Sequence, residues 1–291
     1  MSIGDAEIKT QERVIRFFKD PEILGYQYIG NLSDYQNKNI KEDRLRQYLR
    51  LKGYADKLID AAVMQLQQEA GNLSRGVYDA NKTVYSRLKY GIPVSESPEK
   101  PPVTVELIDE TNPLNNDFAI AEEVTVVEQQ EKRPDLVIYL NGIAVAVIEL
   151  KRSSISVSEG IRQNLTNQKD SFIRGFFTTM QFCMAGNESE GLRYGTLLTG
   201  EKFYMEWKDD GFKEHEEERD PVDVRISKTC EGIENKLLKQ IYAMFDKERF
   251  IDLIMNFVVF DKGIKKVCRY NQYFGIKRTQ QRLNNLRTEL H

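Results

Sequence analysis

Apolar positions change their spacing several times along the chain, and each change predicts an element. Over residues 7–19, EIKTQERVIRFFK, Val14, Phe17 and Phe18 fall on one helical face, and GYQYIG at 25–30 then reads as a short strand. Residues 41–90 keep helical spacing, first at Leu45, Tyr48 and Leu49 and then at Leu58, Ile59, Ala62, Met64 and Leu66, with Gly53, Gly71 and Gly91 as punctuation. This predicts a helical insertion. The proline-bearing stretch from Gly91 to Pro102 predicts a surface connection.

From Asp117 the period changes to that of strands. DFAIAEEVTVVEQ, PDLVIYLNG and IAVAVIELK are three β-rich runs, the last two joined by Asn141-Gly142, a pair that favours a tight hairpin. IAVAVIEL is almost wholly apolar, as a strand covered on both faces should be. A helix is predicted after Ser156, with Ile161, Leu165 and Phe172 turned to the sheet, and further strands at TTMQFCMAG, RYGTLLTG and EKFYMEW. Residues 209–223 hold eight acids and predict a solvated loop. From about Ser227 the chain reads as helical, through ENKLLKQIYAMF and RFIDLIMNFVVF, and from Lys262 to Arg287 it carries eight basic residues and no acid. The fold class is therefore α/β, a mixed central sheet flanked by helices with a helical insertion and a C-terminal helical extension.

Composition narrows the function classes. A chain of 291 residues with 40% apolar and 30% charged residues suits a globular protein with a sizeable core. No apolar run is long enough to span a membrane, and acids stand where a signal peptide would be basic and apolar, so a cytoplasmic protein is expected. Cys183, Cys230 and Cys268 are odd in number and far apart, and His215 and His291 have no zinc-ligand spacing, which disfavours disulfides, zinc chemistry and a Ser-His-Asp triad. A net charge of −3 makes any nucleic-acid contact local.

The candidate chemistry lies in Pro134-Asp135 and the Glu149-Leu150-Lys151 triplet. Glu149 and Lys151, two apart at the end of a strand, project from one face, and the hairpin brings Asp135 alongside. Two carboxylates at one sheet end can hold Mg2+, which keeps waters and shares its coordination with a substrate phosphate. A neighbouring ammonium can orient the attacking water, so the set suits phosphodiester hydrolysis. Glu-x-Lys alone also closes ordinary strands as a solvated end or an ion pair. What favours a site is the apolar strand it terminates and the Pro-Asp opening of the partner strand.

These residues resemble the PD-(D/E)xK nuclease superfamily, and the surrounding text, from NNDFAIAEEVTV through IELKRSSISVSEGIRQNLTNQ to FFTTMQFCMAGNESEGLRYGT and RYNQYF, is similar to the N-terminal region of HsdR, the restriction and translocation subunit of type I restriction-modification enzymes. The resemblance implies a restriction-endonuclease-like core over residues 1–225, with the insertion at about 41–90, and a helical linker leading into an ATP-dependent motor over 226–291. It implies Asp135, Glu149, Lys151 and Gln163 as catalytic residues, with Mg2+ held by Asp135 and Glu149. A first-helix glutamate, Glu12 by chain order, would complete the ligands. Asn167 stands where the family's Gln-x-x-x-Tyr motif usually has tyrosine, so the motif is half kept; its position suits DNA positioning. Gln272 and Tyr270 would meet the adenine of ATP. No G-x-x-x-x-G-K-[ST] occurs in the sequence, so the Walker cradle would lie outside this chain.

The expected activity is thus that of a type I site-specific deoxyribonuclease domain acting on double-stranded DNA, with methylation and specificity subunits as partners. Two rival readings are a stand-alone PD-(D/E)xK nuclease and a non-catalytic DNA-docking module.

Overall fold

A computed structural model describes residues 3–97, 99–208 and 219–289, with the side chains of 3–6 and 288–289 left aside. The sheet at its centre has six strands in the order β1-β4-β7-β8-β9-β10, where β1 is Gln27–Asn31, β4 Phe118–Glu122, β7 Leu136–Leu140, β8 Ile143–Leu150, β9 Phe182–Asn187 and β10 Gly191–Gly195. It is mixed: β1 runs parallel to β4 and β8 parallel to β9, and the other neighbours are antiparallel.

Side-chain alternation assigns each face its cover. Leu136, Ile138, Ile148, Leu150, Phe182 and Met184 face helices α1 (Ile3–Lys19), α7 (Lys236–Phe245) and α8 (Lys247–Asn256) in one large core. Val137, Tyr139, Val147 and Cys183 face Phe176 and Phe177 of a 3₁₀ segment, Arg174–Thr179, and Met180 just after it. Ala185 meets Val157 and Ile161 of α5 (Val157–Asn167) on that second side. The wholly apolar text of β8 follows from this double cover.

The predicted insertion is three helices, α2 (Glu42–Leu51), α3 (Asp56–Gly71) and α4 (Val77–Tyr90). The stretch expected as a surface connection is instead closed by a short hairpin of β2 (Ile92–Val94) and β3 (Val103–Val105), with Ile92 fully buried. A second small hairpin pairs β5 (Val126–Val127) with β6 (Glu131–Lys132).

Three further expectations are corrected. EKFYMEW is not a strand but a 3₁₀ turn, Glu201–Phe203, followed by a single bridge from Met205 to Tyr194. The helical C-terminal reading is interrupted by the hairpin of β11 (Val258–Asp261) and β12 (Ile264–Val267), whose turn uses Lys262 and Gly263 at positive φ, before α9 (Tyr270–Glu289). The acidic stretch falls mostly outside the described residues. Asp223, however, lies on α6 (Pro221–Glu231), buried against the fully buried Arg249 at 2.9 Å, because burial requires each charge to have its partner.

A buried lysine ties the β11–β12 hairpin to the sheet. Lys265 Nζ donates to Asn81 Oδ1 at 2.8 Å, the Met180 carbonyl at 2.9 Å and Gln181 Oε1 at 2.7 Å, which occupies all three ammonium hydrogens.

Candidate active site

Asp135 immediately precedes β7 and Glu149 is the penultimate residue of β8, and their alignment depends on an irregularity. The turn pairs Leu140 with Ile143 and Tyr139 with Ala144, a register that would set Asp135 opposite Ile148 and put Glu149 on the other face. Between Ile138 and Tyr139 the register shifts by one, so that Ile138 pairs with Ala146 and Leu136 with Ile148. Asp135 is then in line with Glu149 on the same face. Val145 is the extra residue of this bulge. Its carbonyl accepts the Gln181 N–H at 2.7 Å, and the Ala144 N–H is taken by the Asn39 carbonyl at 2.8 Å, so the irregular backbone remains paired.

The carboxylates are held individually. Asp135 Oδ2 accepts the Leu150 N–H at 2.7 Å, which ties the start of β7 to the end of β8. Glu149 is fully buried; its Oε2 accepts from Gln163 Nε2 at 2.6 Å, and its Oε1 has no hydrogen-bond partner among the described residues. Gln163 can reach because α5 docks closely: a Cβ at Gly160 would lie 2.9 Å from the Ala185 Cβ and 3.4 Å from the Glu149 Cβ. Ser156 caps this helix, its Oγ accepting the Ser158 N–H at 3.3 Å. Lys151 Nζ lies 3.4 Å from Glu7 Oε1 on α1.

Burial dominates the electrostatics. It pushes the Asp135 carboxyl up to about 6, against the pull of the Lys151 ammonium and the Leu150 N–H, with Glu123 and Glu7 adding to the rise. Burial, and then the Asp135 charge, push Glu149 well above the usual carboxylate range, opposed by Lys151. Two adjacent carboxyls that resist joint ionisation, one with an orphaned buried oxygen, form a site that a cation would relieve. No group of three or more His, Cys, Asp or Glu side chains among the described residues is placed to hold a metal. A pair of carboxylates fits Mg2+, which typically takes one or two and fills its remaining positions with water and substrate phosphate.

Glu12 is exposed on α1, and the α1 carboxylate that meets the site is Glu7. The phase of the helix explains this. Counting from Val14 at about 100° per residue, Glu7, Gln11 and Phe18 fall on the buried face and Glu12 nearly opposite. Gln11, one turn after Glu7, donates to Glu122 Oε2 at 2.9 Å and to Glu123 Oε1 at 3.1 Å, fixing the end of β4 beside Asp135. The apolar stripe of α1 carried this information in the sequence.

An open cleft of about 430 Å3 adjoins the site, lined by Lys132, Arg133, Lys151, Glu159, Arg162, Gln163, Thr166 and Asn167. Gln163 and Asn167 therefore share it, as their spacing predicts. Gln272 and Tyr270 are not part of its lining. Gln272 Oε1 accepts the Arg269 N–H at 2.9 Å, the reach-back of a capping box at the start of α9, and Tyr270 packs against the main core.

Known proteins share this text. A family model described as type I restriction enzyme R protein N terminus matches residues 7–203, which include the whole six-stranded sheet and the cluster from Glu7 to Gln163. A protein of Methanocaldococcus jannaschii named as the MjaVIIIP type I restriction enzyme endonuclease subunit is 27% identical over 275 residues, covering 91% of this chain and 24% of its own length. A second from that organism, named as the MjaIXP endonuclease subunit, is 27% identical over 222 residues, covering 69% of this chain and 20% of its own. The HindI endonuclease subunit of Haemophilus influenzae is 25% identical over 210 residues, covering 67% of this chain and 18% of its own. The chain thus spans about a fifth of the length of these relatives. Since the matched stretch is well over half of the chain, the chain belongs to the type I restriction enzyme R protein family and represents its N-terminal region.

Proposed function

We propose that the chain is the Mg2+-dependent endonuclease domain of a type I restriction enzyme R subunit, with a PD-(D/E)xK core that hydrolyses phosphodiester bonds of double-stranded DNA. The observation that carries this reading is the cross-strand alignment of Asp135 with Glu149, with Lys151 lining the adjoining cleft.

Each residue has a part. Asp135 and Glu149 would hold the metal, Glu149 through the oxygen that Gln163 leaves free. Mg2+, when bound, lowers the pKa of a coordinated water and offsets charge on the phosphorane-like transition state. Lys151 holds the attacking water in line with the phosphate, which requires its ammonium to leave Glu7 and turn into the cleft. Glu7, so released, would be free to accept a hydrogen bond from a water at the site. Gln163 keeps the Glu149 carboxylate in one rotamer, an orienting role of the kind that commonly governs metal affinity.

By the same reading, residues 1–225 carry the nuclease domain, and 226–291, whose helices α7 and α8 still cover its sheet, lead on to an ATP-driven motor. The DNA is then delivered by a cytoplasmic assembly with methylation and specificity subunits, and recognition of the target sequence rests with the latter. No described helix is long and apolar enough to cross a membrane.

The test is plasmid nicking by the full restriction assembly with Mg2+ and ATP. Asp135→Ala, Glu149→Ala and Lys151→Ala should each abolish cleavage while ATP turnover continues. Cleavage at the wild-type rate by any of the three would reject the assignment.

A further inference from the structure

We propose that Lys132, Arg133 and Asn167 form a subsite for a DNA backbone phosphate adjacent to the one that is cut. This rests on the nuclease reading above and extends it to how the strand is gripped. The cleft that holds these residues is continuous with the hydrolytic site, because Lys151 and Gln163 belong to both.

Charge matching singles out two of the four cations lining the cleft. Arg162 is engaged by Glu159 at 2.7 Å and by Glu201 at 2.9 Å, and Lys151 faces Glu7. Lys132 has no ion pair among the described residues; its ammonium sits 4.9 Å from the centroid of the Phe172 ring, which steadies it without neutralising it. Arg133 has its nearest carboxylate, Glu123, at 3.9 Å, beyond hydrogen-bond reach, and its side chain is 47% exposed.

The neutral member is the more telling. Asn167 is only 2% exposed, yet its carboxamide lines the cleft and has no hydrogen-bond partner among the described residues. Its amide is not one of the enclosed side-chain groups left without a partner, so it is reached from the cleft, where its N–H groups can donate to a ligand oxygen. An ammonium, a guanidinium and an amide N–H converging on one cleft are donors matched to an anion with several oxygens, and the guanidinium fork suits a phosphodiester in particular. With a net charge of −3, the chain can attract DNA only through such a local concentration of donors.

The experiment measures binding of a fluorescent duplex by the 291-residue chain in Ca2+, as a function of salt, for the wild type and for Lys132→Ala, Arg133→Ala and the double variant. Each single change should weaken binding several-fold whatever the DNA sequence, and lower the slope of log affinity against log salt by about 1, the double variant by about 2. Lys132→Arg and Arg133→Lys should restore the slope. Asn167→Ala should weaken binding with the slope unchanged. Lys100→Ala, the same charge change away from the cleft, should alter neither quantity. Wild-type slope in the double variant, or no DNA binding by the wild type, would overturn the subsite. Displacement of the duplex by ATP or inorganic phosphate at equal ionic strength would overturn it in favour of a free-phosphate site. Mn2+ titration in parallel separates the two ideas: a double variant that binds Mn2+ normally but keeps the wild-type slope refutes the subsite alone, whereas a wild type that binds no Mn2+ refutes the nuclease reading beneath it.

Discussion

Gln163 donates a 2.6 Å hydrogen bond to one oxygen of Glu149, and the other oxygen of that buried carboxylate is left without a partner. The amide thus fixes the orientation of the group and leaves its second oxygen for a ligand. Gln163→Ala should lower the cleavage rate by roughly 10- to 100-fold, the range seen when an orienting partner of a metal ligand is removed. Titrating Mg2+ in the cleavage assay should show that much of the loss is recovered at high metal. A loss that no metal concentration relieves would place Gln163 elsewhere in the reaction.

The approach of α5 to the sheet sets that hydrogen bond. Gly160→Ala puts a methyl 2.9 Å from the Ala185 Cβ, so the helix must move outward by a few tenths of an ångström or more. We expect Gly160→Ala to reduce cleavage together with metal affinity, and to destabilise the fold by about 1–3 kcal/mol. Full activity in this variant would mean that Gln163 reaches Glu149 without close packing.

Asp135 links the site to stability. Its carboxyl is raised from 3.8 to about 6, so between those values the folded chain binds a proton that the unfolded chain has lost. This contribution is present on the acid side and vanishes as pH rises through about 6. Without metal, Asp135→Asn should therefore melt several degrees above the wild type at pH 7.5 and no higher than it near pH 4, since the amide oxygen still accepts the Leu150 N–H. Lys151, Glu149, Glu123 and Glu7 face the same group, and the curve should be read on that cluster as a unit. A stability difference independent of pH, measured by thermal melts at both values, would contradict the account.

Much of this arrangement was legible in the sequence, and the failures have identifiable causes. Asn141-Gly142 forms the two-residue turn it predicts, with both residues at positive φ. The apolar text of β8 announces a doubly covered strand, and Ser156 marks the start of α5. The bulge at Val145 was not legible. A run of apolar residues contains nothing to say where one is extra, yet without the bulge Asp135 and Glu149 would lie on opposite faces. Glu7 was available in the phase of the α1 stripe, and chain order alone pointed to Glu12 instead. NFVVF continues an apolar run and so reads as helix through the β11–β12 hairpin, although Asp261-Lys262-Gly263 carries a turn signature. The burial of Asp223 depends on Arg249, 26 residues later, a pairing no local pattern reveals.

Lys265 gives a test of how the C-terminal hairpin is bound to the sheet. Lys265→Met keeps the stem and removes three donors, leaving Asn81 Oδ1 and Gln181 Oε1 without a partner in the interior, while the Met180 carbonyl keeps the Asn81 amide. At about 1–3 kcal/mol for each of the two orphaned groups, the expected loss is at least roughly 2 kcal/mol. Urea unfolding checks this. A loss below about 1 kcal/mol would show that the hairpin packs without it.

The most direct test of the central claim is calorimetric titration of the chain with Mn2+ at neutral pH, comparing the wild type with Asp135→Asn and Glu149→Gln, whose folding is confirmed by circular dichroism. The account predicts saturable binding in the wild type, accompanied by proton release as the raised carboxyls ionise, and loss of that binding in both variants. Wild-type binding in either variant, or no binding in the wild type, would contradict it.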